Sequence, residues 1–231
     1  MMKPQKGGIA MNIPLNIIRH YMKNVYFING TAYAGKSTMV HMLAERYGLI
    51  ECGENYHARV SDTVATPEHQ PAISYFDTMS GWEEFLNRTP EAYDQWIVDV
   101  AREAAAFEIA ELIRLSDQGP IIVDTNIPFD ILREIAQPNH VAVMLSPQSM
   151  SVERFFDRSD PEKQFLLRKI GECPDPEATM ANFRACLKKI NSPEHYAECA
   201  NAGFFTLVRE NADTDTREEV LHQLAHHFGL E

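Results

Sequence analysis

The chain has 231 residues, 45% hydrophobic and 23% charged, the composition of an ordinary globular protein rather than a disordered or fibrous one. Its formal net charge of -12 argues against a broad nucleic-acid-binding surface, because phosphate contacts need clustered Lys and Arg. Four widely spaced cysteines (Cys52, Cys173, Cys186, Cys199) with no CxxC pair argue against a Cys-built zinc site and against a disulfide framework, and fit free thiols in a reducing cytoplasm.

Residues 1–23 read as a tail or a peripheral helix. The apolar patches Ile9 to Met11 and Leu15 to Ile18 are too short and too interrupted for a signal peptide. No apolar run reaches about 18 residues, so no membrane partner is expected. Residues 24–231 read as one domain, since no linker divides them.

Val25 to Asn29 is almost fully apolar and rich in β-formers, as expected of a buried parallel strand. After a Gly-containing turn, Lys36 to Tyr47 carries Met39, Val40, Leu43, Ala44 and Tyr47 at helical spacing, and Gly48 sits where a helix ends. Leu49 to Cys52 reads as the second strand. Residues 53–76, with Pro67 and Pro71, read as a long loop or an irregular excursion. Ser80-Gly81-Trp82-Glu83 has the form of a capping box for a short helix to Arg88, and Thr89-Pro90 opens a long Ala-rich helix ending before Gly119-Pro120.

Ile121 to Asp124 is the next buried strand, Phe129 to Ala136 a helix and Val141 to Leu145 a strand. A helix from Ser149 to Phe156, a charged segment from Asp157 to Lys169 and a helix from Glu177 to Ile190 follow. Phe204 to Val208 is the last strand, and Thr216-Arg217-Glu218-Glu219 reads as a second capping box before the final helix. Strands alternating with helices predict an α/β fold: one parallel sheet covered on both faces.

The segment with most chemical content is Gly30-Thr31-Ala32-Tyr33-Ala34-Gly35-Lys36-Ser37, which fits G-x-x-x-x-G-K-[ST]. Its glycines let the backbone curl so that N–H groups point at phosphate oxygens. Lys36 brings a mobile positive charge to the β- and γ-phosphates, the Ser37 hydroxyl reaches Mg²⁺, and the helix start adds its positive end. Gly30 to Thr38 are therefore the expected nucleotide-binding residues. The pattern lies between a predicted buried strand and a predicted helix, the context it requires.

Asp124 closes the third predicted strand. A carboxylate there can hold or orient Mg²⁺ near Ser37; a turn cap is the alternative. Thr125, not Glu, follows it, and neither an Asn-Lys-x-Asp nor a Leu-Ser-Gly-Gly segment occurs, so GTPase, transporter-ATPase and helicase readings lack their second motifs. Arg154 and Arg158 are one helical turn apart and share a face, suited to charge developing during phosphoryl transfer. The alternative is a solvated face paired with Glu153, Asp157 and Glu162.

These features together resemble the P-loop kinase superfamily that contains adenylate kinase and shikimate kinase. The resemblance rests on Gly30 to Ser37, on Asp124, on Arg154-Phe155-Phe156-Asp157-Arg158 as the opening of a lid over residues 150–175, on the segment Pro174 to Ile190 with Arg184, and on the strand and helix of Gly203 to Leu230. It implies a three-layer P-loop fold with a five-stranded sheet in the order 2-3-1-4-5, and an ATP- and Mg²⁺-dependent kinase acting on a small-molecule phosphoryl acceptor. Lys36, Asp124, Arg154 and Arg158 are the expected catalytic residues, with Ser37 and Asp124 at the metal.

Residues 61–118 match no substrate-binding segment of that family and read as an acceptor-side insertion. Asp124-Thr125-Asn126-Ile127-Pro128 lacks the substrate Arg that adenylate kinases carry there. Glu54 and His57, after the second strand, are candidates for the acceptor, or simply a polar loop; Arg168 and Arg184 are lid candidates, or solvated charges. Two other readings stand beside the kinase: an NTP hydrolase or nucleotide-dependent switch, and a non-catalytic nucleotide-binding module.

Overall fold

A computed structural model describes residues 13–153, 155, 156, 161–210 and 214–231. Five strands, β1 (Val25–Gly30), β2 (Ile50–Cys52), β3 (Ile121–Asp124), β4 (Val141–Leu145) and β5 (Phe205–Val208), form one all-parallel sheet in the order β2-β3-β1-β4-β5. The helices are α1 (Leu15–Met22), α2 (Lys36–Tyr47), α3 (Ala58–Val64), α4 (Tyr75–Thr78), α5 (Trp82–Leu86), α6 (Pro90–Leu115), α7 (Phe129–Ile135), α8 (Gln148–Glu153), α9 (Pro161–Gly171), α10 (Pro176–Ile190), α11 (Pro193–Ala200) and α12 (Arg217–Phe228).

Every residue of β3 and β4 is buried, which is why these strands read as unbroken apolar runs. On one face Ile28, Ile122 and Ala142 meet Val40 and Leu43 of α2 and Leu221 and Leu224 of α12. On the other, Phe27, Ile121 and Val123 meet Leu112 of α6 and Leu132 of α7, with Met22 of α1. The N-terminal segment thus includes a docked helix. α6 starts as its sequence implies, with Pro90 at the first turn and the Thr89 side chain accepting from the Ala92 N–H at 3.2 Å.

Three local expectations are corrected. The stretch 53–76 is not a continuous loop: α3 forms there, packed on α6, with an Arg59–Glu111 ion pair of 3.4 Å between them. At 80–83 the helix cap is Gly81, and Glu84 rather than Glu83 reaches back, accepting from the Ser80 N–H at 2.9 Å and hydroxyl at 2.7 Å. Thr216 makes no side-chain cap; Asp215 accepts from the Arg217 N–H at 3.1 Å instead. An additional helix, α11, begins with Ser192 accepting from the His195 N–H at 3.4 Å.

The insertion does not stand alone. Phe85, Leu86 and Tyr93 share one buried cluster with Ile170 of α9 and with Phe183, Cys186 and Leu187 of α10. Trp82 and Phe165 meet edge-on at 4.9 Å, and the Asn182 amide donates to the carbonyls of Leu86 at 3.1 Å and Arg88 at 2.8 Å. α5, the first turns of α6, α9 and α10 thus form one helical cap. Among the described residues, no helix is long and apolar enough to cross a membrane, and the four cysteines are free.

Candidate functional site

The site is built at the end of β1, beside β4. Gly30 ends β1 in register with Met144, at φ +131°, and a Cβ there would lie 1.9 Å from the Met144 carbonyl oxygen. Only glycine lets the chain leave the strand this way. Gly35, at φ +92°, then turns the chain into α2 and leaves that helix without a side-chain cap.

Between the two glycines the loop is tied from outside. The Thr31 N–H donates to the Met144 carbonyl at 2.9 Å, and the Thr31 hydroxyl accepts from the Ser146 N–H at 2.8 Å. The Ala32 carbonyl accepts from the hydroxyls of Ser146 (2.6 Å) and Ser151 (3.2 Å), and the Tyr33 carbonyl accepts from Arg209 at 3.1 Å. In a planar trans peptide the N–H is antiparallel to the preceding carbonyl. Each anchored carbonyl therefore turns the N–H of the following residue, Tyr33 or Ala34, away from its anchor. Tyr33 itself sits at φ +66°, a strained position for a non-glycine residue.

Lys36 and Ser37 open α2 and face the end of β3. The Ser37 hydroxyl donates to Asp124 Oδ2 at 2.6 Å, and Lys36 Nζ lies 3.8 Å from Asp124 Oδ1 and 3.4 Å from the Thr31 carbonyl. The Asp124 side chain is 2% exposed. Among the described residues, its carboxylate is thus buried beside the Lys36 ammonium and the Ser37 hydroxyl. Ser37 Oγ and the Asp124 carboxylate are hard oxygen donors of the kind Mg²⁺ takes, and the Lys36 ammonium is a compact charge for phosphate. The uncapped start of α2 adds N–H groups and a positive dipole end.

Beside the loop, between α2, the end of β5 and α12, lies an open cavity of about 740 Å³. Ala34, Gly35, Thr38, Leu207, Arg209 and Val220 are among its walls. Within Gly30 to Thr38, Lys36 and Ser37 thus lie against Asp124. Other candidates are placed elsewhere. Glu54 is exposed in the turn after β2, and His57 is half-buried against Ser61, its Nδ1 3.1 Å from the hydroxyl; burial lowers its pKa. Arg168 is exposed on α9, 5.8 Å from the centre of the Phe165 ring, and Arg184 lines an apolar groove between α9 and α10 with Leu167 and Met180. Neither is grouped with Lys36. Arg154 and Arg158 lie outside the described residues.

Several residues at the site carry no motif. Ser146, Ser151 and Arg209 hold the loop from β4, α8 and the end of β5. Glu108 of α6 is 3% exposed and accepts from the Thr125 hydroxyl at 2.6 Å. Burial pushes its carboxyl up to about 7, against the hydrogen bond from Thr125. The Tyr56 hydroxyl lies against the same carboxyl without a well-formed hydrogen bond. One signal was available: Glu108 and Glu111 fall on the same stripe of α6 as Ala104, Ala105 and Leu112, a face that should be apolar. Comparisons with protein-family models and with curated proteins return no match for this chain.

Proposed function

We propose that the chain is a P-loop phosphotransferase that binds Mg-ATP at Gly30–Thr38 and passes the γ-phosphoryl group to a small-molecule acceptor. The observation that carries this reading is the Lys36–Ser37–Asp124 group at the uncapped start of α2, with Ser37 and Asp124 2.6 Å apart. Ser37 and Asp124 would hold Mg²⁺ there, and the ion would supply positive charge against the phosphates. The loop N–H groups and Lys36 would cradle the phosphates, and the adjacent cavity is large enough for a nucleoside. Phosphoryl transfer asks the protein mainly for positioning and charge stabilisation, which a preformed loop supplies. Arg154 and Arg158 remain part of the proposal as cations for the moving phosphoryl group.

The test is ATP turnover with and without a panel of hydroxyl- and phosphate-bearing metabolites, in the unaltered chain and in Lys36→Ala. We expect acceptor-dependent turnover that falls by about a hundredfold or more in the variant, with folding intact. Turnover in Lys36→Ala close to that of the unaltered chain would overturn the reading. ATP turnover indifferent to every acceptor would move it to a hydrolase or switch, and Mg-ATP binding without turnover to a non-catalytic module.

A further inference from the structure

We propose that Glu108, a residue of the insertion, is a positioning residue for Asp124 and for the Gly30 end of the loop, acting through Thr125, Ile127 and Asn29. The inference rests on the nucleotide reading above and names a component of that site outside its motif.

A series of hydrogen bonds connects Glu108 to the start of the loop. Glu108 accepts from the Thr125 hydroxyl at 2.6 Å, and the backbone amide of Asn126 faces the same carboxyl. The Thr125 hydroxyl in turn accepts from the Ile127 N–H at 3.0 Å. The Ile127 carbonyl accepts from the Asn29 side-chain amide at 2.9 Å, and the Asn29 side-chain oxygen accepts from the Gly30 N–H. One buried carboxyl on α6 is therefore linked, through the turn after β3, to the first residue of the loop.

Asp124 sits inside this arrangement. On its N-terminal side it is held by pairing with Ile28 in β1, and immediately after it the Thr125 N–H donates to the Ile28 carbonyl at 3.0 Å. The Thr125 side chain, anchored on Glu108, fixes the other side. A displacement of Asp124 by about half an ångström would spoil a metal site of this kind.

Glu108 is also an expensive way to fill this position. A carboxyl buried without a cation costs free energy that an apolar residue would not. The ion-paired arginines of this region, Arg59 and Arg114, are both bonded to Glu111 instead. What Glu108 offers that an apolar residue cannot is an acceptor for the strand-end turn.

The experiment is calorimetric titration of ATP into the full chain at a series of MgCl₂ concentrations, for the unaltered protein, Glu108→Gln, Thr125→Val and the double variant. Both substitutions keep shape; one weakens the acceptor and the other removes the bridging hydroxyl. Partners of metal ligands are typically worth tenfold to a hundredfold in metal affinity, so each single variant should need about tenfold more Mg²⁺ for half-maximal ATP binding. The double variant should need little more than either, because both act on one path. A purely structural role would lower the melting temperature and leave the Mg²⁺ requirement in place. Normal Mg²⁺ titrations in both single variants, with Mg²⁺-dependent binding intact in the unaltered chain, overturn the role of Glu108 alone. Absence of Mg²⁺-dependent ATP binding in the unaltered chain overturns the nucleotide reading and this inference with it.

Discussion

The sheet and the helical cap are held together by different means. In the sheet, backbone register sets the positions that matter: Gly30 faces Met144, Asp124 faces Ile28, and the strands between are buried aliphatic residues. In the cap, rings pack on rings. Phe85, Tyr93 and Trp96 contact one another, Phe183 lies 5.8 Å from Tyr93, and Arg88 stacks on Tyr75 at 3.6 Å. The Thr179 hydroxyl donates to the Asn87 side chain at 3.2 Å. Backbone ladders fix the ends of strands, and with them the residues that line the candidate site. Side-chain packing of large rings gives a body held by the fit of its side chains rather than by backbone register.

The largest effect should come from breaking the register at its tightest point. Gly30→Ala places a methyl against backbone that cannot yield, so we expect a loss of more than about 4 kcal/mol, or failure to fold, in urea denaturation. A mild loss would mean that β1 and β4 are less rigidly paired than their contact indicates. A smaller, more local effect is expected in the cap. Phe183 is fully buried, and Phe183→Ala should cost about 3 kcal/mol. Hydrogen exchange should then speed up in 82–97 and 161–190 while β1, β3 and β4 stay protected; uniform loosening would show that cap and sheet unfold as one unit.

The smallest effect lies where the two regions meet. Burial raises the Glu108 carboxyl from 4.5 to about 7, with Asp124 adding to that rise and Tyr56 and Thr125 opposing it. The folded state therefore holds this proton more tightly than the unfolded chain. Its contribution to stability is full below pH 4.5, declines as pH rises toward 7 and levels off above. Relative to Glu108→Gln, the unaltered chain should lose about 2 kcal/mol between pH 5 and pH 8 in urea denaturation. Parallel curves for the two proteins across that window would show a carboxyl already ionised throughout.

The sheet was legible because its signals are local. Val25 to Asn29 and Ile121 to Asp124 are apolar runs of strand length, and the spacing of Gly30, Gly35, Lys36 and Ser37 marks the turn from β1 into α2 without reference to the rest of the chain. The cap was not, because its partners are far apart in sequence. Trp82 and Phe165, or Leu86 and Asn182, carry no periodic or spacing signal that links them. α3 was missed because its seven residues include no capping side chain and only Ser61 is buried. Glu108 and Arg209 were missed for a related reason: each meets the site through a partner distant in the chain.

One feature of the fold links the two regions mechanically. α6 runs unbroken for 26 residues, with Tyr93 in the cap core and Glu108 against the end of β3. The two residues are about 22 Å apart along the axis, since an α-helix rises about 1.5 Å per residue. A rod of that length is a lever. A tilt of about 3° pivoting at one end moves the other by about an ångström. The boundary between cap and sheet is therefore not a flexible joint but the middle of a stiff beam, and load applied to the aromatic end is delivered to the hydrogen bonds beside Asp124.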